Sequence, residues 1–116
     1  VQQILVHNRA LPQDYAVEPV YVPAREVGGD FYWTRANTDA SLIVIVGDVS
    51  GKGLQAAMMV SVIIGMLERE TAASPATILQ NLSNGLRHYT NSGFVTACCV
   101  RCEHDGRVAA ASAGHP

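Results

Sequence analysis

The chain has 116 residues, 48% of them hydrophobic, with a formal net charge of -2. That length suits one domain or a large piece of one, with enough apolar content for a core that buries about two-thirds of the unfolded surface. No run of Lys or Arg offers the clustered positive charge that nucleic acid or an anionic membrane needs. The longest apolar stretch, Ala56 to Leu67, carries Ser61 and Gly65 and is too short to cross a bilayer.

Residues 1–10 read as the end of a linker helix from an upstream domain, broken at Leu11-Pro12. They have no apolar segment behind a basic start, so they do not read as a signal peptide. Tyr15 to Val22 alternates as a strand, and Pro19 places it at a sheet edge. Pro23 to Gly29 reads as a loop, Asp30 to Thr34 as a short aromatic strand, and Asn37-Thr38-Asp39 as a turn. Leu42 to Val46 is a β-branched run expected to be buried on both faces. Gly47 to Gly53 reads as a glycine-rich loop.

Leu54 to Glu70 reads as a helix that is apolar nearly all round and is expected between layers, with Met58 and Ile63 or Ile64 turned inward. Its methionines, Met58, Met59 and Met66, read as core filling. Ser74-Pro75 is a helix start, Ser at the N-cap and Pro at the first helical position. Leu79, Leu82, Leu86 and Tyr89 then recur on one helical face. Phe94 to Cys102 reads as a strand, His104-Asp105-Gly106-Arg107 as a hairpin turn, and Val108 to Ala113 as the returning strand. Elements come in runs rather than in strict alternation, which predicts an α+β fold with no internal domain boundary.

The cysteines are Cys98, Cys99 and Cys102. Cys99 and Cys102 have CxxC spacing, but no second pair accompanies them, so they read as small core residues of a reducing cytoplasm rather than as a zinc or redox site. His7, His88 and His104 are isolated and read as surface.

Two segments carry candidate chemistry, Gly28-Gly29-Asp30 and Gly47-Asp48-Val49-Ser50-Gly51-Lys52-Gly53. Each sets an aspartate beside glycines at a strand end. Glycine admits close backbone approach, and aspartate supplies the hard oxygens that suit Mg²⁺ or Mn²⁺. A P-loop is excluded twice, because Gly47 stands too close to Gly51 and Gly53 replaces the hydroxyl residue. A tight turn in which Asp48 caps the loop or the following helix is the alternative.

Ala24-Arg-Glu-Val-Gly-Gly-Asp-Phe-Tyr32, Gly47-Asp-Val-Ser-Gly-Lys-Gly53 with Ala56-Ala57, and Ala113-Gly-His-Pro116 stand in an order that resembles the SpoIIE/RsbU branch of the protein phosphatase 2C superfamily. Phe94-Val-Thr96 fits the family's strand after the second helix. The resemblance implies an α-β-β-α sandwich with a binuclear Mn²⁺ or Mg²⁺ site between its sheets. It assigns Asp30, Asp48 and the backbone carbonyl of Val49 to that site. It implies hydrolysis of phosphoserine or phosphothreonine on a protein such as an anti-sigma-factor antagonist, by in-line attack without a phosphoenzyme. Arg25 and Lys52 are candidate phosphate contacts, against a local ion pair with Glu26 and an exposed loop lysine. His115 lies in the third motif, as a neighbour of the site or as a structural hydrogen-bonding residue.

Trp33 departs from the pattern, standing where the family commonly has a further aspartate. The family also continues past Ala-Gly-His into strands that carry another Asp-Gly and a late Asp. Residues 1–116 therefore read as a partial domain, inactive alone, with the C-terminal strands missing; Asp105-Gly106 reads as a turn and does not replace them. Two function classes follow: the output phosphatase of a signalling protein, or a non-catalytic module that keeps the fold. The later aspartates of the parent protein discriminate them. An upstream sensor, a phosphorylated protein substrate and a homodimer are the expected partners. The cytoplasm is the expected compartment, with any membrane anchor in upstream domains.

Overall fold

The computed structural model describes residues 29–51, 53–89 and 95–114. The expectations for residues 1–28, including the linker helix, the Tyr15–Val22 strand and the Arg25–Glu26 pair, lie outside the described residues, as do Lys52 and His115.

Strand β1, Gly29–Ala36, alternates Phe31 and Trp33 toward one side with Asp30 and Tyr32 toward the other. It pairs antiparallel with β2, Leu42–Val49. Helices α1, Gly53–Glu68, and α2, Pro75–Leu86, follow. Strands β3, Val95–Cys102, and β4, Val108–Ala113, complete a four-stranded antiparallel sheet in the order β1-β2-β3-β4. The two helices form the connection from β2 to β3 and lie on one face of the sheet. The α+β expectation is met by this pair of layers.

The core sits between sheet and helices. Phe31, Trp33, Ile43, Ile45, Val49, Ala97 and Cys99 from the strands meet Ala56, Val60, Ile63 and Leu67 of α1 and Ile78, Leu79, Leu82 and Leu86 of α2. Trp33 is fully buried and its indole N–H donates to Glu68 Oε1 at 3.0 Å. The Ser74 hydroxyl accepts from the backbone N–H of Thr77, which satisfies one of the free donors of the first turn of α2. Leu82 lies at the centre of the α2 stripe, so Leu82→Ala is expected to cost about 2–5 kcal/mol, read by denaturant unfolding.

Several expectations are corrected. Strand β2 runs through Gly47 and Asp48 to Val49, so the glycine-rich loop is shorter than its composition implies. Nor is β2 buried on both faces: Val44 is half-buried and Val46 is 40% exposed on the side away from the helices. Helix α1 buries a single stripe and leaves Leu54 76% and Met58 59% exposed, so Met58 is not inward; Ile63 is. Tyr89 lies past the end of α2 and is exposed, because the helix stops at Leu86. His88 and His104 are exposed, as expected.

At the far end of the sheet, two arginines on the helix side tie down the α1–α2 connection. Arg35 donates to the carbonyls of Glu70 at 2.7 Å and Ala72 at 2.6 Å, and Arg101 to the carbonyl of Ala73 at 3.1 Å. Arg101 also pairs with Asp39 at 2.7 Å and Glu103 at 2.6 Å. Asp39 accepts from the hydroxyl and the backbone N–H of Ser41 inside the β1–β2 turn. The Ser41 hydroxyl, the Ser41 N–H and then Arg101 pull the Asp39 carboxyl from its ordinary 3.8 down to about 2.

A carboxyl depressed by folding contributes stability that is present above its unfolded value and lost as pH falls through its folded one. The wild type is therefore expected to lose stability on acidification from about pH 4 to about pH 2, and Asp39→Asn to show a shallower fall over that window. Thermal unfolding across the two pH values checks it. Asp39 is solvent-exposed, so the difference is small.

Candidate functional site

Antiparallel register places Asp30 of β1 directly opposite Asp48 of β2. Both point away from the helices, because the residues on either side of them, Gly29 and Phe31, Gly47 and Val49, are buried on the helix side. Asp48 is exposed and Asp30 half-buried. The two aspartates, eighteen residues apart in the sequence, thus stand side by side at one end of the sheet.

The same register extends the row. Asp48 pairs with Thr96 of β3, and Gly114 forms a parallel bridge to Ala97 beside it. The next row inward, Tyr32, Val46, Cys98 and Ser112, is less polar. The row beyond, Thr34, Val44, Val100 and Ala110, is largely apolar. Among the described residues of these rows, the acidic ones are at the Asp30–Asp48 end.

Close backbone packing at that end depends on absent side chains. A Cβ on Gly47 would stand 2.5 Å from the Phe31 ring and 2.7 Å from the Thr96 carbonyl oxygen. A Cβ on Gly29 would stand 2.7 Å from the Val49 carbonyl oxygen. Glycine at position 29 therefore leaves space beside an oxygen that the sequence marks as a candidate ligand.

Two carboxylates directly opposite on adjacent strands repel, and a cation beside them reverses that cost. Their hard oxygens, with a backbone carbonyl nearby, fit Mg²⁺ or Mn²⁺ better than zinc. Among the described residues, no group of three or more His, Cys, Asp or Glu stands together. A divalent-metal site built on Asp30 and Asp48 would need further ligands, since such an ion takes about six oxygens.

The rival sites do not assemble. Cys99 and Cys102 are three residues apart on one strand, so their side chains leave opposite faces and cannot grip one metal. All three cysteines are free thiols. Burial, then its neighbour Cys98, pushes the Cys99 thiol up to about 12, far from a reactive thiolate. Trp33 lies three residues beyond Asp30 and so faces the core, away from the aspartate pair. Sequence alone attaches no role to Thr96; the signal is its place two residues into the Phe94-Val-Thr96 segment, whose register only the pairing of β3 with β2 reveals.

A four-stranded antiparallel sheet with two helices on one face is compatible with part of a protein phosphatase 2C-like domain. The family model of stage II sporulation protein E (SpoIIE) matches residues 38–116, and the chain belongs to this SpoIIE/RsbU-type, protein phosphatase 2C-like family. Phosphoserine phosphatase RsbU of Bacillus subtilis is 31% identical over 121 residues, an alignment covering 99% of this chain and 36% of that protein. Protein IcfG of Synechocystis is 38% identical over 55 residues, covering 47% of this chain and 9% of that protein. The chain thus spans about a third of RsbU's length. Among the described residues, no helix is long and apolar enough to cross a membrane.

Proposed function

We propose that the chain is part of the catalytic domain of a protein serine/threonine phosphatase that acts as the output of a signalling protein. Its substrate would be phosphoserine or phosphothreonine on a regulatory protein. The carrying observation is the direct opposition of Asp30 and Asp48 in a chain whose relative RsbU is a phosphoserine phosphatase.

In this reading Asp30, Asp48 and the Val49 carbonyl hold one side of a divalent Mn²⁺ or Mg²⁺ centre. When bound, such a centre activates water and neutralises charge on a phosphoryl group. The chain's own contribution is rigidity. Asp30 and Asp48 ride on hydrogen-bonded strands rather than on loops, and Phe31, Ile45 and Val49 lock those strands onto the helices. The carboxylates are therefore aimed before substrate arrives, which lowers the orientational part of the barrier. Lys52 and Arg25 remain candidate contacts for the substrate phosphate, and His115 a candidate neighbour of the site. In this reading further metal ligands, and the second sheet of an α-β-β-α sandwich on the face away from the helices, would come from outside these four strands. Phosphate release from a phosphoserine protein by the whole protein, with and without Mn²⁺, tests the reading.

A further inference from the structure

Thr96 stands directly across from Asp48, on the same face of the sheet, and is half-buried. Directly opposed residues on antiparallel strands have their Cβ atoms about 4.5–5.5 Å apart, a gap that a hydroxyl and a carboxylate close with one hydrogen bond. The other side of Thr96 is occupied. Gly114 follows β4 with φ of +73° and bridges to Ala97, and a Cβ built on it would stand 3.6 Å from the Thr96 γ-methyl. The γ-methyl therefore lies on the Gly114 side of Thr96. A β-branched side chain is stiff at χ1, so fixing its methyl also fixes its hydroxyl.

We propose that Thr96 is a positioning residue for Asp48. Its hydroxyl donates to one carboxylate oxygen and leaves the other aimed at the cation, while the γ-methyl stays on the Gly114 side. The inference rests on the proposed metal centre and adds to it a residue that supplies no ligand. It also ties the Ala113-Gly114 segment to the site, because Gly114 meets the acidic row from the side opposite Asp30, through Thr96. Groups of this kind, hydrogen-bonded behind a metal-ligating carboxylate, typically change metal affinity or activity by ~10–100-fold when removed.

The test is Mn²⁺ binding to the whole protein, followed by electron paramagnetic resonance, with phosphate release measured beside it. Thr96→Val keeps shape and β-branching and removes the hydroxyl; Thr96→Ser keeps the hydroxyl. Thr96→Val is expected to weaken Mn²⁺ binding by ~10–100-fold, with Thr96→Ser within a few-fold of wild type. Unchanged Mn²⁺ binding in Thr96→Val overturns the proposal, and so does an equal loss in Thr96→Ser, which would assign the effect to packing of the methyl. Asp48→Asn is measured in parallel. If it too binds Mn²⁺ like wild type, the metal centre itself fails; if it alone loses binding, the centre stands and the role of Thr96 falls.

Discussion

Asp48→Asn in the whole protein is expected to lower phosphate release by at least about 100-fold while leaving the fold intact. The lower bound follows from the ~10–100-fold effect of merely removing a group behind a ligand; loss of the ligand's own charge is the larger change. The stability effect carries the opposite sign. Asp48 faces Asp30 across the strand pair and is exposed, so neutralising it relieves a like-charge contact. In metal-free buffer the variant should unfold at the same temperature as wild type or slightly higher. With millimolar Mn²⁺ only the wild type should gain stability, because a ligand bound to the native state alone raises its unfolding free energy. Calorimetry with and without Mn²⁺, beside the phosphate assay, separates loss of the site from loss of the fold. A variant that loses activity by unfolding would melt lower in both buffers.

The second large effect is on stability. Trp33 is completely buried between sheet and helices, with its indole N–H bonded to Glu68 at the end of α1. Trp33→Ala is expected to cost about 3–5 kcal/mol from lost burial and the cavity left behind. It also leaves the Glu68 carboxylate without that donor. Against a typical total of about 5–15 kcal/mol, that removes a large share of the stability of the domain. Trp33→Phe keeps most of the volume and loses the N–H, so it should fall well short of the alanine cost. Denaturant unfolding of the two variants reads the difference. The substitution also separates two roles for position 33. A residue in the aspartate site would change Mn²⁺ binding at constant stability, whereas Trp33, on the opposite face, changes stability first.

The two aspartates were legible as candidates because each stands beside glycine inside a motif that resembles this family. What the motifs did not contain was the register. Gly47 and Asp48 read as loop residues, since glycine carries no side chain to show strand alternation, yet hydrogen bonding continues through both to Val49. That continuation is what sets Asp48 opposite both Asp30 and Thr96.

Helix α1 hid its orientation for a different reason. Its buried stripe, Ala56, Val60, Ile63 and Leu67, is no more apolar than the exposed Leu54 and Met58, and no charge falls between Gly53 and Leu67 to mark the outer face. Periodicity needs contrast, and this segment has little. Helix α2 has it: Gln80, Asn81, Ser83 and Asn84 alternate with Leu79, Leu82 and Leu86, and its buried face follows the sequence. The arginine clasp was invisible in principle, because Arg35 and Arg101 bond to backbone carbonyls 28 to 37 residues away, and a carbonyl leaves no mark in a sequence.

We infer that Asp30 and Asp48 form one side of a divalent-metal centre that hydrolyses phosphoserine. Its most direct test is phosphate release from a phosphoserine protein by the whole protein, dialysed against a chelator and then titrated with Mn²⁺, for wild type and Asp30→Asn. Chelated wild type is expected to release no phosphate and to recover on adding Mn²⁺ to the millimolar range, with no recovery in Asp30→Asn. Full release by the chelated protein, or recovery in Asp30→Asn equal to that of wild type, would contradict it.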